Sequence, residues 1–113
     1  GIQAMNLRNY PLAIRFFNNL IEEDPNFAEA WNKRATVHFM LGNFDESMKD
    51  IIKTLELEPR HFGALDGMGL IFIHQGQFQE AIEVYDKMLE IFPFSTKIMD
   101  KKERIQSFIS QST

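Results

Sequence analysis

Apolar residues recur along this chain at the i, i+3, i+4 spacing of helices that bury one face, and glycines and prolines cut the runs at regular intervals. Leu12, Ala13, Phe16, Phe17, Leu20 and Ile21 form one such stripe and predict a helix over residues 11–23. Pro11 sits in its first turn, where a missing N–H costs nothing. Asp24-Pro25-Asn26 ends it, because a proline pushes the residue before it out of the helical region. A second helix is expected over 28–41, with Ala30, Trp31, Arg34, Ala35 and His38 facing inward. Gly42-Asn43 then supplies the left-handed turn that helix C-termini favour. Asn43 or Asp45 is expected to cap the next helix, which reaches Glu58 with Met48, Ile51, Ile52 and Leu55 facing in. The plan returns as a helix over 63–75, a turn at Gly76-Gln77, a helix over 79–91 and a stop at Pro93. Residues 1–9 read as the last turns of an earlier helix. A final, more polar helix is expected over 96–110, with Ile98, Met99, Ile105, Phe108 and Ile109 between charged positions.

The recurrence has a fixed length. Moving 34 positions forward carries Trp31 to Leu65, Ala35 to Gly69, Gly42 to Gly76, Phe44 to Phe78, Ser47 to Ala81, Leu55 to Leu89 and Pro59 to Pro93. Moving 34 back from Phe44, Ser47, Ile51, Leu55 and Pro59 lands on Tyr10, Ala13, Phe17, Ile21 and Pro25. A helix–turn–helix unit of this period cannot bury its apolar face alone and stacks on its neighbours.

On these residues the chain resembles the tetratricopeptide repeat family, and the resemblance covers nearly all of it. The family's small, glycine, aromatic and proline positions are met in the second repeat by Ala35, Gly42, Phe44, Ser47 and Pro59, with departures at His38, Ile51 and Thr54. The third supplies Gly69, Phe72, Gly76, Phe78, Ala81, Tyr85 and Pro93, departing at Met88. The first retains Tyr10, Ala13, Phe17 and Pro25, and Arg8 stands at its turn glycine. The resemblance implies one all-α domain over 1–113, a right-handed superhelical stack of antiparallel helix pairs. Its expected parts are a partial repeat over 1–27, full repeats over 28–61 and 62–95, and a C-terminal capping helix over 96–112. The incomplete first repeat leads us to expect further chain before Gly1, or another molecule covering that end.

Composition narrows the chemistry. Twelve Lys and Arg against sixteen Asp and Glu give a formal charge of −4, which argues against binding nucleic acid by neutralising phosphates. The absence of cysteine excludes disulfides, thiolate metal sites and cysteine nucleophiles. No apolar run approaches the ~20 residues of a membrane span, no charged-then-apolar leader is visible, and nothing in the composition selects a compartment. The three histidines lack metal-ligand spacing. His38 is expected as a hydrogen-bonded core residue, His61 as a solvated turn residue and His74 as part of a binding face. Gly67-Met68-Gly69 lacks the third glycine and preceding strand of a phosphate loop; Gly67 inside a helix costs about 1 kcal/mol, and either a close approach or drift accounts for it. The carboxylates read as solvent-facing, with Asp45/Lys49 and Glu83/Lys87 at i, i+4. Lys97, Lys101, Lys102 and Arg104 read as the solvated face of the capping helix. No acid–base pair, nucleophile, metal cluster or cofactor motif emerges, and the chain reads as a non-enzyme.

The family resemblance further implies a concave groove lined by the first helix of each repeat. Carried over, its binding residues are Asn6 from the first repeat, Glu29, Asn32, Thr36, Phe39 and Met40 from the second, and Asp66, Leu70, Ile73 and His74 from the third. Members that bind chaperones grip a peptide's terminal carboxylate with cations at set positions. Two of those positions here are Gly63 and Gly67, so an apolar peptide or amphipathic helix of a partner protein is the expected ligand. The alternative is a structural segment that self-associates into a homo-oligomer through its N-terminal end.

Overall fold

A computed structural model of the protein describes residues 9–112. They form six helices: α1 (Tyr10–Glu23), α2 (Ala28–Met40), α3 (Phe44–Leu57), α4 (Phe62–His74), α5 (Phe78–Ile91) and α6 (Thr96–Ser112), with no strand among the described residues. The expected boundaries hold to within a residue or two, the ordinary uncertainty of frayed ends. Residues 1–8, including Asn6 and the expected earlier helix, lie outside the described region.

Local chemistry closes every helix from α1 to α5 in one of two ways. α2 and α4 end on Gly42 and Gly76, whose φ of 78° and 76° only glycine adopts without strain. Beyond each glycine the chain turns back: Asn43 N–H donates to His38 C=O and Gln77 N–H to Phe72 C=O, both at 2.8 Å. This is the doubly bonded αL termination of a helix C-terminus. α1, α3 and α5 end instead on Asp24, Glu58 and Phe92, each just before a proline, with φ/ψ of −144/85°, −138/89° and −126/72°. The starts differ from expectation at α3. Asn43 occupies the cap position without a side-chain hydrogen bond, and Asp45 lies inside the first turn, where its charge favours the positive end of the helix. α6 is capped by Ser95, whose Oγ accepts the Ile98 N–H at 3.3 Å.

The described residues divide into two compact units, one ending at Ala64 and the other beginning at Leu65. In the first, α2 packs against both α1 and α3. Tyr10, Ala13 and Val37 form a small core with Ile14, Phe17 and Leu41 around it. The Ser47 hydroxyl donates to Ala35 C=O at 2.7 Å, so a buried polar side chain is satisfied at the close contact of α2 and α3. The stripe on α1 is narrower than expected: Leu12 and Phe16 are 61% and 58% exposed, because α1 buries itself through Tyr10, Ala13 and Ile21. Ile52 is likewise 48% exposed rather than inward.

On α2, Ala28, Ala30, Ala35 and Val37 are buried, whereas Trp31, Arg34 and His38 are half-buried. Arg34 is held by charge. Its Nε and Nη2 donate to the two Asp50 oxygens at 2.8 and 2.7 Å, and its Nη1 donates to Asn18 at 2.8 Å. Asp50 is therefore a buried, paired carboxylate, a correction to the solvent-facing reading. The hydrogen bond with Asp50 raises the Arg34 pKa further above its ordinary value. Trp31 stacks beneath this guanidinium at 5.0 Å and donates its indole N–H to Pro25 C=O at 2.8 Å.

The second unit comprises α5, α6 and most of α4. Leu65, Ile71, Tyr85, Met88 and Ile98 are its largest fully buried apolar side chains, each stabilising by roughly 1.5–3 kcal/mol on transfer from water. Gly69 lets α4 and α5 meet: a Cβ there would stand 2.8 Å from Tyr85 Cζ. The Tyr85 hydroxyl is buried without a hydrogen-bond partner among the described residues. Burial, with the Asp66 carboxylate nearby, pushes its pKa up.

Candidate functional site

The nominated α2 residues divide by chemistry. Glu29 accepts a hydrogen bond from Asn32 Nδ2 at 3.4 Å and pairs with His61 Nε2 at 3.2 Å, and the Thr36 hydroxyl donates to Asn32 C=O at 3.1 Å. Burial opposes ionisation of Glu29, but the His61 and Asn32 hydrogen bonds outweigh it and hold the carboxyl below its usual range. Phe39 is half-buried with its ring 5.4 Å from Phe44, and Met40 is exposed. The polar members are thus tied to neighbours, while the apolar members at the C-terminal end of α2 present surface.

His61 corrects its sequence reading. Its side chain is 12% exposed, not solvated, and its Nδ1 accepts the Ala64 N–H at 3.0 Å. An accepting Nδ1 leaves the ring proton on Nε2, directed at Glu29. The imidazole therefore caps the first turn of α4 as Ser95 caps α6. The sequence signal was its place before Phe62-Gly63-Ala64, three residues ahead of an orphan N–H. His38 also departs from expectation, since its Nδ1 is buried without a partner among the described residues.

On α4, Asp66 is engaged by Lys101 at 2.7 Å, Leu70 and Ile73 are half-buried, and His74 is exposed on the last turn. Leu70 and Ile73 open into a cleft of about 450 Å³, completed by Phe78 and Tyr85 of α5 and by Lys101, Arg104, Ile105 and Phe108 of α6. The cleft gathers two of the nominated residues and adds six that sequence reasoning left out of the site. Ile105 and Phe108 read from sequence as the buried side of a capping helix. Phe108 is instead 51% exposed, its ring 5.0 Å from Phe78.

The cationic run is also corrected. Besides the Lys101–Asp66 pair, Lys102 meets Asp86 at 2.5 Å and Arg104 meets Asp100 at 3.2 Å. These lysines fasten α6 to acidic residues of α4 and α5 rather than facing water alone. Among the described residues there is no group of His, Asp or Glu that could hold a metal ion, and no helix is long and apolar enough to cross a membrane.

Paired helices closed by the same glycine turns and proline stops define a helical-repeat protein of the solenoid class. Residues 16–49 and residues 62–95 each match a sequence model described as tetratricopeptide repeat, and the chain belongs to that family. It is 41% identical over 91 residues to a TPR repeat-containing protein of Rhizobium etli, a match covering 80% of this chain and 45% of that protein. It is 28% identical over 105 residues to the Hsp70-Hsp90 organizing protein 2 of Arabidopsis thaliana, covering 93% of this chain and 18% of that one. The chain thus spans less than half the length of either relative. Among solved structures, the first TPR of Spaghetti (RPAP3) bound to the HSP90 peptide SRMEEVD superposes with a TM-score of 0.83 at 19% identity, covering 96% of this chain and 88% of that one. The fold is the all-α tetratricopeptide solenoid.

Proposed function

We propose that the protein is a non-catalytic interaction scaffold that binds a peptide or helical segment of a partner protein on the apolar inner faces of its repeats. The repeat boundaries we propose are 28–61 and 62–95, with α6 as the cap. Phe39 and Met40 contribute from α2, and Leu70 and Ile73 from α4; Glu29, Asn32, Thr36, Asp66 and His74 form the polar rim, with Asn6 belonging to the first repeat. The observation that carries this reading is the cleft beside α6, which takes in Leu70 and Ile73 and has almost wholly apolar walls. Peptide binding by the RPAP3 domain, which shares the fold, supports it.

Affinity capture from the source cell with the wild-type domain, Leu70→Glu and Phe39→Glu tests the reading. A protein retained by wild type and lost from either variant, each shown to be folded by circular dichroism, supports it. The same proteins retained by all three would sink it. The exposure of Leu12 and Phe16 favours a second reading, self-association through α1. In that case Phe16→Asp changes the assembly state in sedimentation, while Leu70→Glu does not.

A further inference from the structure

We infer that His61 is a proton-operated cap on α4. Neutral, its imidazole holds the first turn of the helix; protonated, it releases that turn and stays tied to α2 through Glu29. Acid thereby exchanges a helix cap for an interhelical ion pair. The inference stands on this geometry and does not depend on the scaffold reading.

The 34-residue register places Phe27, His61 and Ser95 at one position, directly before α2, α4 and α6. Phe27 offers no side-chain cap, and Ser95 caps through a hydroxyl that does not titrate. His61 caps with Nδ1, which accepts the Ala64 N–H at 3.0 Å. Imidazole is not among the groups that N-caps favour, and it is the side chain whose ordinary titration falls between about pH 5 and 8. Gly63 leaves the ring its seat: a Cβ there would stand 3.2 Å from His61 Cε1 and 3.3 Å from Asn32 Nδ2, tighter than nine in ten such contacts. A proton added to Nδ1 takes the lone pair that accepts the Ala64 N–H. Two N–H groups then face each other, and the ring turns from the helix about its contact with Glu29. Nε2 carries a proton in both forms and lies 3.2 Å from Glu29 Oε2, so that contact survives and becomes an ion pair. Burial opposes ionisation of Glu29, but the His61 and Asn32 hydrogen bonds hold its carboxyl below its usual range, and it is charged on both sides of the exchange. The remaining charges nearby are Lys33, which acts on Glu29 from α2, and Glu58 and Arg60 of the preceding loop, which are exposed. The His61 side chain is 12% exposed, enough for solvent protons to reach it.

The test is an NMR titration of the intact chain from about pH 8 to about pH 5, following the His61 ring nitrogens and the Ala64 amide. At the alkaline end the ring is expected as the Nε2–H tautomer. On acidification the Ala64 amide proton should shift with the ring's own midpoint. Its protection against exchange, corrected for the intrinsic rate, should fall about fivefold, the ordinary worth of an N-cap hydrogen bond. The Ile98 amide beneath Ser95 is the internal control and should hold steady. His61→Asn keeps an acceptor that does not titrate in this range, so Ala64 is expected to stay protected throughout. An Nδ1–H tautomer at the alkaline end, a ring that stays neutral to the acid end, or an Ala64 amide that ignores the ring's titration overturns the inference. So does a His61→Asn chain in which Ala64 loses protection over the same range as in wild type, since the loss then reports the fold at large and not the cap.

Discussion

The two units solve one packing problem with different chemistry. At the same register, 34 residues apart, Arg34 and Asp50 of the first unit correspond to Met68 and Val84 of the second, and Ala35 and Ile51 correspond to Gly69 and Tyr85. The first unit joins α2 to α3 with a bidentate ion pair and the Ser47 hydroxyl bond to Ala35 C=O. The second has no charge at those places and brings α4 and α5 together by opposing a glycine to a fully buried tyrosine ring. The repeat constrains where the helices approach and leaves open what fills the contact. A charge at this place therefore has to be bought by geometry, whereas an apolar pair needs only volume.

The largest expected effect breaks the ion pair on one side. Arg34→Met leaves the Asp50 carboxylate buried and unpaired, and should destabilise by about 3–5 kcal/mol in a denaturant melt. Copying the second unit in full, Arg34→Met with Asp50→Val, is expected to recover most of that loss, since apolar replacement of a buried pair is often neutral or stabilising. A double variant as unstable as the single one would show that the two units are not interchangeable here. Next in size is Gly69→Ala, whose added Cβ meets a rigid ring at 2.8 Å. Despite the better helix propensity of alanine, a loss of about 1–3 kcal/mol is expected. Adding Tyr85→Ile, which recreates the Ala–Ile pair of the first unit, should relieve part of it, and a double-mutant cycle measures how much.

Two smaller effects depend on pH. The raised pKa of Tyr85 means that the folded state holds its proton more tightly than the unfolded chain. Its contribution is complete below the unfolded tyrosine pKa of about 10 and is lost as pH rises from there toward the folded value. Tyr85→Phe should flatten the alkaline fall in Tm between pH 9 and 11. Glu29 has the opposite sign. Its lowered pKa gives a contribution that is present above about pH 4.3 and lost as pH falls through the folded value. Because the side chain is half exposed, Glu29→Gln should cost no more than about 1 kcal/mol at pH 7. A carbon-detected titration of the Glu29 carboxyl should move upward in His61→Ala; no movement would remove His61 as the cause.

Helices, turns and stops were legible because each depends on neighbours in sequence. Gly42 and Gly76 are needed for positive φ, and Asp24, Glu58 and Phe92 are set by the proline after each. The site was legible only where it lies on one helix. Leu70 and Ile73 could be nominated from register, but the cleft they open into forms only when α6 comes to rest beside α4 and α5. Lys101 and Lys102 misled for the same reason: their partners Asp66 and Asp86 are 35 and 16 residues away in sequence. Leu12, Phe16 and Ile52 misled differently. Periodicity marks an apolar arc, and the width of that arc exceeds what the neighbouring helices cover.

The fastening of α6 by Lys101 and Lys102 makes one edge of the cleft responsive to ionic strength. Both pairs are partly open to solvent, with 28% of each lysine side chain exposed, so mobile ions reach them as the Debye length shrinks from about 10 Å at 0.1 M to 3 Å at 1 M. α5 carries the partner Asp86 on its outer face, but its own seat is sealed by the fully buried Tyr85 and Met88. Salt would therefore loosen the C-terminal wall ahead of the floor, and amide exchange in α6 should quicken with added sodium chloride while that of α5 holds steady.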